Sequence, residues 1–91
     1  MQQFAASVIV TLRRSIADVQ GKTIEDGLHS LGFVQIRNVR VGKFFHFSVQ
    51  AASEEEARQI VEQACVKLLA NPVIEDFSIS LTPEEAEVSE Q

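Results

Sequence analysis

Hydrophobic and polar residues alternate one by one along the N-terminal stretch of the chain. Between residues 4 and 12 every even position is apolar, whereas Ser7 and Thr11 stand among the odd positions. The even positions are Phe4, Ala6, Val8, Val10 and Leu12. Because a period of two places alternate side chains on opposite faces, this stretch predicts a β-strand with one strongly buried face.

The next segment has helical spacing instead. Its apolar positions are Ile24, Leu28 and Leu31. Asp18 can cap this helix at its start, and Gly32 can adopt the left-handed conformation that follows its end. Gly27 lies inside the helix and costs roughly 1 kcal/mol relative to alanine, which predicts that close packing against a strand compensates for it.

A second helix is predicted to begin after residue 53. Ser53 and Glu56 form a capping box, in which both side chains accept hydrogen bonds from backbone N–H groups at the helix start. The apolar stripe of this helix is Ala57, Ile60, Val61, Ala64 and Leu68. Asn71 and Pro72 end it, because proline cannot continue a helix.

Three further strands are predicted. Residues 34–41 form a second strand, in which the apolar side chains change face halfway. A bulge or a change of pairing near residues 37–38 would reconcile the two halves. Gly42 turns the chain into a third strand, and the fourth covers about residues 73–81. The core residues of the third and fourth strands are Phe45, Phe47, Val49, Ala51, Phe77, Ile79 and Leu81.

The order β-α-β-β-α-β is the ferredoxin-like split arrangement of an α+β fold. It predicts a four-stranded antiparallel sheet with both helices on one face. We expect one domain over residues 1–81 and an acidic, disordered tail over residues 82–91. A chain of 91 residues is too short for two cores.

The face of this sheet that the helices leave uncovered is predicted to be uncharged. By parity it carries Ile9, Thr11, Phe44, His46, Ser48, Gln50, Ser78 and Ser80. A solvated sheet face usually carries Lys and Glu, so a partner that covers this face would explain their absence. The alternative is that this face is exposed to water and contacts no partner.

Composition and charge narrow the class of protein. Cys65 is the only cysteine, which excludes an intrachain disulfide and favours a reducing compartment. The chain has no secretory signal and no apolar run of membrane-spanning length, so we expect a cytoplasmic protein. The four glutamates after Leu81 supply most of the net charge of −5, and the eight bases are scattered, which argues against nucleic-acid binding.

Candidate catalytic groups are few and badly spaced. His29 and His46 are the only histidines, and neither lies near a cysteine or carboxylate at metal-ligand spacing. Cys65 adjoins the apolar stripe of the second helix, so a buried, inert thiol is expected there. The lone Gly21 lacks the further glycines of a phosphate-binding loop.

Four blocks of sequence resemble the PurS family, the small subunit of phosphoribosylformylglycinamidine synthase. The resemblance covers about residues 4–81, and the last block is the most specific. The blocks are Asp18-Val19-Gln20-Gly21-Lys22, Leu28-His29-Ser30-Leu31-Gly32-Phe33, Val39-Arg40-Val41-Gly42-Lys43 and the run from Leu68 to Phe77, LLANPVIEDF. One departure is Val19, where the family usually has proline.

The resemblance implies a cytoplasmic, ATP-dependent ligase complex of de novo purine synthesis. Its PurL-type synthetase would use ATP and Mg, and its PurQ-type glutaminase would release ammonia from glutamine. The PurS-like subunit would form a homodimer or larger homo-oligomer, dock the glutaminase on the synthetase and support ammonia transfer. It implies no catalytic, cofactor-binding or metal residue on this chain.

Seven residues are candidates for the contact with partners. Phe44 and His46 come from the uncovered face, and the others come from the matching blocks: Arg40, Lys43, Asn71, Glu75 and Asp76. Arg40 and Lys43 can equally be solvated charges that protect a sheet edge. A regulatory module that binds a small ligand is the alternative function, on the analogy of fold alone.

Overall fold

The computed structural model describes residues 1–84 and builds them into three strands, two helices and one π-helical turn. In chain order these are β1 (Gln2–Leu12), α1 (Val19–Ser30), β2 (Gly42–Ala51), α2 (Glu54–Ala64), the π-helical turn (Cys65–Leu69) and β3 (Glu75–Glu84). No helix in this part of the chain is long and apolar enough to cross a membrane.

The three strands form one antiparallel sheet in the order β2-β1-β3. In its register Val8 lies opposite Phe45 on one side and Ile79 on the other. The alternation predicted for β1 is confirmed, because its even positions from Phe4 to Val10 are buried on one face.

Helix α2 covers this buried face. Ala57 and Val61 are fully buried, as the predicted stripe requires. The Ser53 cap is confirmed, since its hydroxyl accepts from the Glu56 N–H at 3.2 Å. The Glu56 carboxylate accepts at 2.6 Å from the N–H of Ala52, one residue before the cap of the predicted capping box. Local sequence therefore determines where this helix begins.

The π-helical turn changes which side chains enter the core. The Ala70 N–H donates to the carbonyl of Cys65 at 2.9 Å, five residues back. One residue more per turn brings Leu69 against the core and leaves Leu68 83% exposed. The predicted stripe was wrong at Leu68, because it assumed uninterrupted α-helical spacing, and also at Ile60, which is 43% exposed.

The predicted four-stranded ferredoxin-like sheet is wrong, because residues 34–41 do not form a strand. Side-chain carboxylates occupy two of the N–H groups that a strand ladder would need. Val41 donates to Asp18 at 2.7 Å, and Val39 donates to Glu25 at 3.0 Å. Immediately before them Asn38 adopts φ 60°, a left-handed conformation incompatible with extended pairing.

The prediction that both helices cover one face is wrong as well. Within residues 1–84, α1 makes no more than marginal contact with the sheet. It packs instead on the segment that follows it: His29 Nε2 lies 2.6 Å from the carbonyl oxygen of Ile36, and Gly21 lies against the carbonyl of Val39. The helix itself begins and ends as predicted, since Asp18 accepts from the Gly21 N–H at 2.9 Å and Gly32 has φ +100°.

Strand β3 continues beyond the predicted domain boundary at Leu81. Thr82 lies opposite Ala5 and Glu84 lies opposite Gln3, so both belong to the sheet. The rest of the predicted tail, residues 85–91, lies outside the described residues.

Candidate functional site

The seven candidate contact residues lie at two places in the structure. Phe44 and His46 lie on the open face of β2, the face of the sheet opposite α2. The other five gather at the end of the sheet where β2 and β3 begin: Arg40, Lys43, Asn71, Glu75 and Asp76.

Three of the five hold the turn that leads into β3. The Glu75 N–H donates to the Asn71 carbonyl, and the Asn71 N–H donates to the Glu75 carboxylate, both at 2.7 Å. Lys43 donates to the carbonyl of Leu69 at 3.3 Å and lies 4.0 Å from the Glu75 carboxylate. Local contacts therefore account for Asn71 and Glu75, while the Lys43 ammonium is half-exposed.

Arg13 joins the remaining two residues, and the sequence analysis did not single it out. Its Nε lies 3.6 Å from the Asp76 carboxylate, and its guanidinium also donates to the carbonyl of Pro72. Its own carbonyl accepts from the Arg40 guanidinium at 3.0 Å. The only signal in the sequence was the pair Arg13–Arg14, one of two groupings among the bases.

Two clefts open beside this cluster. The larger, of about 550 Å³, is lined by Thr11, Leu12, Arg14, Asn38 and Arg40. The smaller, of about 200 Å³, has both Asp18 and Lys43 in its wall. The pKa of Asp18 is lower than its ordinary value. The hydrogen bond from the Val41 N–H is the largest cause and that from the Gly21 N–H the second, because both favour the charged carboxylate.

The open face carries an apolar pair at its centre and polar groups around it. Ile9 and Phe44 lie opposite each other on β1 and β2, and they are 49% and 64% exposed. His46 lies in the next row, opposite Ser7. The predicted lack of charge holds for this centre but not for the ends, where β3 contributes Asp76 and Glu84 to the same face.

Glu84 is fixed at its end of the open face. Its carboxylate accepts from Gln3 at 3.0 Å and from the Ser48 hydroxyl at 2.9 Å. These two bonds, with that from Gln3 the stronger cause, lower the pKa of Glu84. The carboxylate therefore links all three strands.

A second apolar surface, which we name the α1 patch, lies away from the sheet. Its members are all exposed by more than a third: Ile24, Leu31, Phe33, Val34 and Ile36. The sequence analysis assigned Ile24 and Leu31 to contacts with the sheet and so missed this surface. Exposed apolar surface of this kind is typical of a protein–protein contact.

Across residues 1–84 no three His, Cys, Asp or Glu side chains are grouped so that they could hold a metal ion. Burial raises the pKa of the Cys65 thiol, and Glu62 adds to this. The expected buried thiol is confirmed.

Comparison with known sequences identifies a family. The profile of the PurS family, described as phosphoribosylformylglycinamidine (FGAM) synthase, matches residues 5–83. The PurS subunit of this synthase from Methanocaldococcus jannaschii is 36% identical over 78 residues, which are 86% of this chain and 94% of that relative.

Comparison with solved structures points to the same family. The chain is similar to a chain in the structure of PurLQS from Thermotoga maritima, with a TM-score of 0.82 and 34% identity over 90% of this chain and 100% of that one. It is also similar to PurS from B. subtilis, with a TM-score of 0.80 and 33% identity over 87% of this chain and 98% of that one.

Proposed function

This chain belongs to the PurS family of phosphoribosylformylglycinamidine synthase subunits, and from this we propose that it binds a PurL-type synthetase and a PurQ-type glutaminase. The observation that carries the proposal is its likeness to the chain in the PurLQS structure over nearly all of both. The chain is thus the small subunit of a ligase of purine biosynthesis, and its role is to assemble the complex.

The exposed apolar surfaces support contacts with more than one partner. The α1 patch and the centre of the open face lie on different elements, and each keeps large apolar side chains at least 39% exposed. An exposed apolar surface is costly in water, so each one favours a protein that covers it. Two surfaces on one small chain fit a subunit that connects others.

Self-association is part of the proposal. The radius of gyration is 17.2 Å and the extents are 51 × 32 × 16 Å. A globular domain of this length has a radius of gyration of about 12 Å. A protomer this extended buries little of its own surface, so pairing with a second copy, as a homodimer or a larger homo-oligomer, supplies the missing burial.

Within the complex the subunit docks the glutaminase on the synthetase and supports the transfer of ammonia between them. ATP and Mg are used by the large subunit, and the complex works in the cytoplasm. The single cysteine supports that compartment, since a chain with one buried thiol needs no oxidising environment.

Reconstitution tests this function. The purified chain is combined with the synthetase and glutaminase of the same organism, and synthase activity is measured with glutamine or with ammonium as nitrogen donor. We expect the chain to be required for the glutamine-dependent rate and for a single large species on a sizing column. The ammonium-dependent rate serves as the control, because it needs no glutaminase. An equal glutamine-dependent rate without the chain would refute the proposal.

A further inference from the structure

The larger cleft at the basic end of the sheet combines two arginines with two neutral polar side chains. We name it the arginine cleft; its lining is Thr11, Leu12, Arg14, Asn38 and Arg40. No carboxylate belongs to this lining, although the whole chain carries a net charge of −5. Among the described residues, neither Arg14 nor Arg40 forms an ion pair within 4.0 Å.

The backbone beside the cleft is held from the opposite side. The N–H groups of Val39 and Val41 donate to carboxylates of α1 and its cap, as described above. Asn38 and Arg40, which precede Val39 and Val41, both line the cleft. The segment is therefore fixed before any ligand arrives.

The Arg40 guanidinium is positioned as well. Its bond of 3.0 Å to the Arg13 carbonyl uses one of five N–H donors and leaves the others available. Arg40 also lowers the pKa of Asp18, so a negative charge lies within its electrostatic range. That carboxylate already accepts from Val41 and Gly21, and Asp18 is not part of the lining of the cleft.

Asn38 adds an independent sign of a functional position. It is the only residue other than glycine with positive φ among the described residues. Asparagine tolerates this conformation better than most residues, and such positions concentrate at ligand sites. Asn38 lines the same cleft as Arg14 and Arg40.

From these observations we propose that the arginine cleft binds the phosphate group of a small phosphorylated molecule, such as a sugar phosphate or a nucleotide. The lining includes two arginines, an asparagine and a threonine, whose hydrogen-bond donors suit a tetrahedral dianion with three terminal oxygens. The volume of about 550 Å³ exceeds that of a phosphate ion and lies in the range of sites for small molecules.

Nuclear magnetic resonance titration tests the site on the full chain. Ribose 5-phosphate, adenosine monophosphate and inorganic phosphate are added at constant ionic strength, so that general screening does not change. We expect saturable shifts in the amide signals of Thr11, Arg14, Asn38 and Arg40. Arg14→Gln and Arg40→Gln should each raise the Kd about tenfold or more, as loss of a charged hydrogen-bond donor does. The amide spectrum of each variant also shows that it is folded.

The control variant is Arg58→Gln, which removes the same charge from α2 and should leave the Kd within about twofold. Ribose and adenosine, which lack the phosphate, should not bind. Succinate tests whether a carboxylate serves equally well. The proposal is overturned by shifts that do not saturate, by an equal loss of binding in Arg58→Gln, or by succinate binding as tightly as ribose 5-phosphate. The site does not rest on the assembly function, which reconstitution tests separately.

Discussion

At Gly21 the first turn of α1 comes so close to the loop before β2 that a side chain does not fit. A Cβ atom there would overlap the carbonyl oxygen of Val39. Glycine is therefore required by a close approach of two backbone segments. The sequence pattern predicted such a close approach at Gly27 instead. That prediction was wrong, because no heavy atom outside the helix lies within 4 Å of a Cβ added at Gly27.

The two glycines of α1 should respond in opposite ways to alanine. Gly21→Ala should lower the free energy of unfolding by about 1–3 kcal/mol, as overpacking does. Gly27→Ala should raise it by about 0.5–1 kcal/mol, because alanine favours a helix interior and meets nothing. Urea unfolding followed by circular dichroism measures both. A stable Gly21→Ala protein would show that α1 does not lie against Val39.

Asp18 makes stability depend on pH. Hydrogen bonds from Val41 and Gly21 hold its pKa in the folded chain below the ordinary value of 3.8. A lowered pKa contributes stability above pH 3.8 and loses it as the pH falls through the folded value. The difference in Tm between the wild type and Asp18→Asn should therefore be present at pH 7 and shrink below about pH 4. A difference that stayed constant down to pH 2 would contradict the two bonds.

At the scale of elements, hydrogen bonds made by side chains decide which segments become regular. The Ser53 cap starts α2 where the sequence indicates, but the carboxylates of Asp18 and Glu25 take N–H groups of residues 34–41 and keep them from pairing as a strand. At the other end of the sheet, Glu84 accepts from Gln3 of β1 and Ser48 of β2, and β3 extends beyond Leu81.

Truncation tests the end of β3. A chain that ends at Leu81 loses the pairing of residues 82–84 with β1 and the bonds of Glu84. We expect its Tm to fall by about 4–8 °C, as for a loss of about 1 kcal/mol in a domain of this size. A chain that ends at Glu84 keeps these contacts and is the matched control. Equal Tm values for the two chains would place the true end of the strand at Leu81.

At the scale of the whole molecule, the fold is incomplete as a single chain. Helix α1 and the loop after it stand away from the sheet, which leaves the α1 patch without an intramolecular partner in the described residues. The open face has an apolar centre as well. This shape fits the proposed role in an assembly, in which each of the two apolar surfaces would contact a partner.

Charge placed in either surface should weaken the contact that covers it. Phe33→Glu in the α1 patch and Phe44→Glu on the open face each bury an unpaired carboxylate if that surface is an interface. Light scattering and reconstitution with the two partners show which contact each variant loses. Gln59→Glu, which adds the same charge to an exposed position of α2, is the control. If neither phenylalanine variant differs from this control, both surfaces are free in the complex.

The sequence located most residues of the candidate site but did not reveal what each of them contacts. Arg40, Lys43, Asn71, Glu75 and Asp76 do gather at one end of the sheet. Asn71 and Glu75 bond to each other, however, and Arg13 at the centre was missed, since its role depends on residues about sixty positions away. Whether these residues or Phe44 and His46 contact a partner stays a prediction.

The sequence by itself determined the elements whose causes are local: the buried face of β1, the caps of both helices and the family. Each of these depends on residue types a few positions apart, so the pattern is visible without coordinates. Only the tertiary structure decided the partners of residues 34–41, the placement of α1 and the arginine cleft. These depend on which distant group satisfies a given N–H or guanidinium, and periodicity along the chain carries no information about that choice.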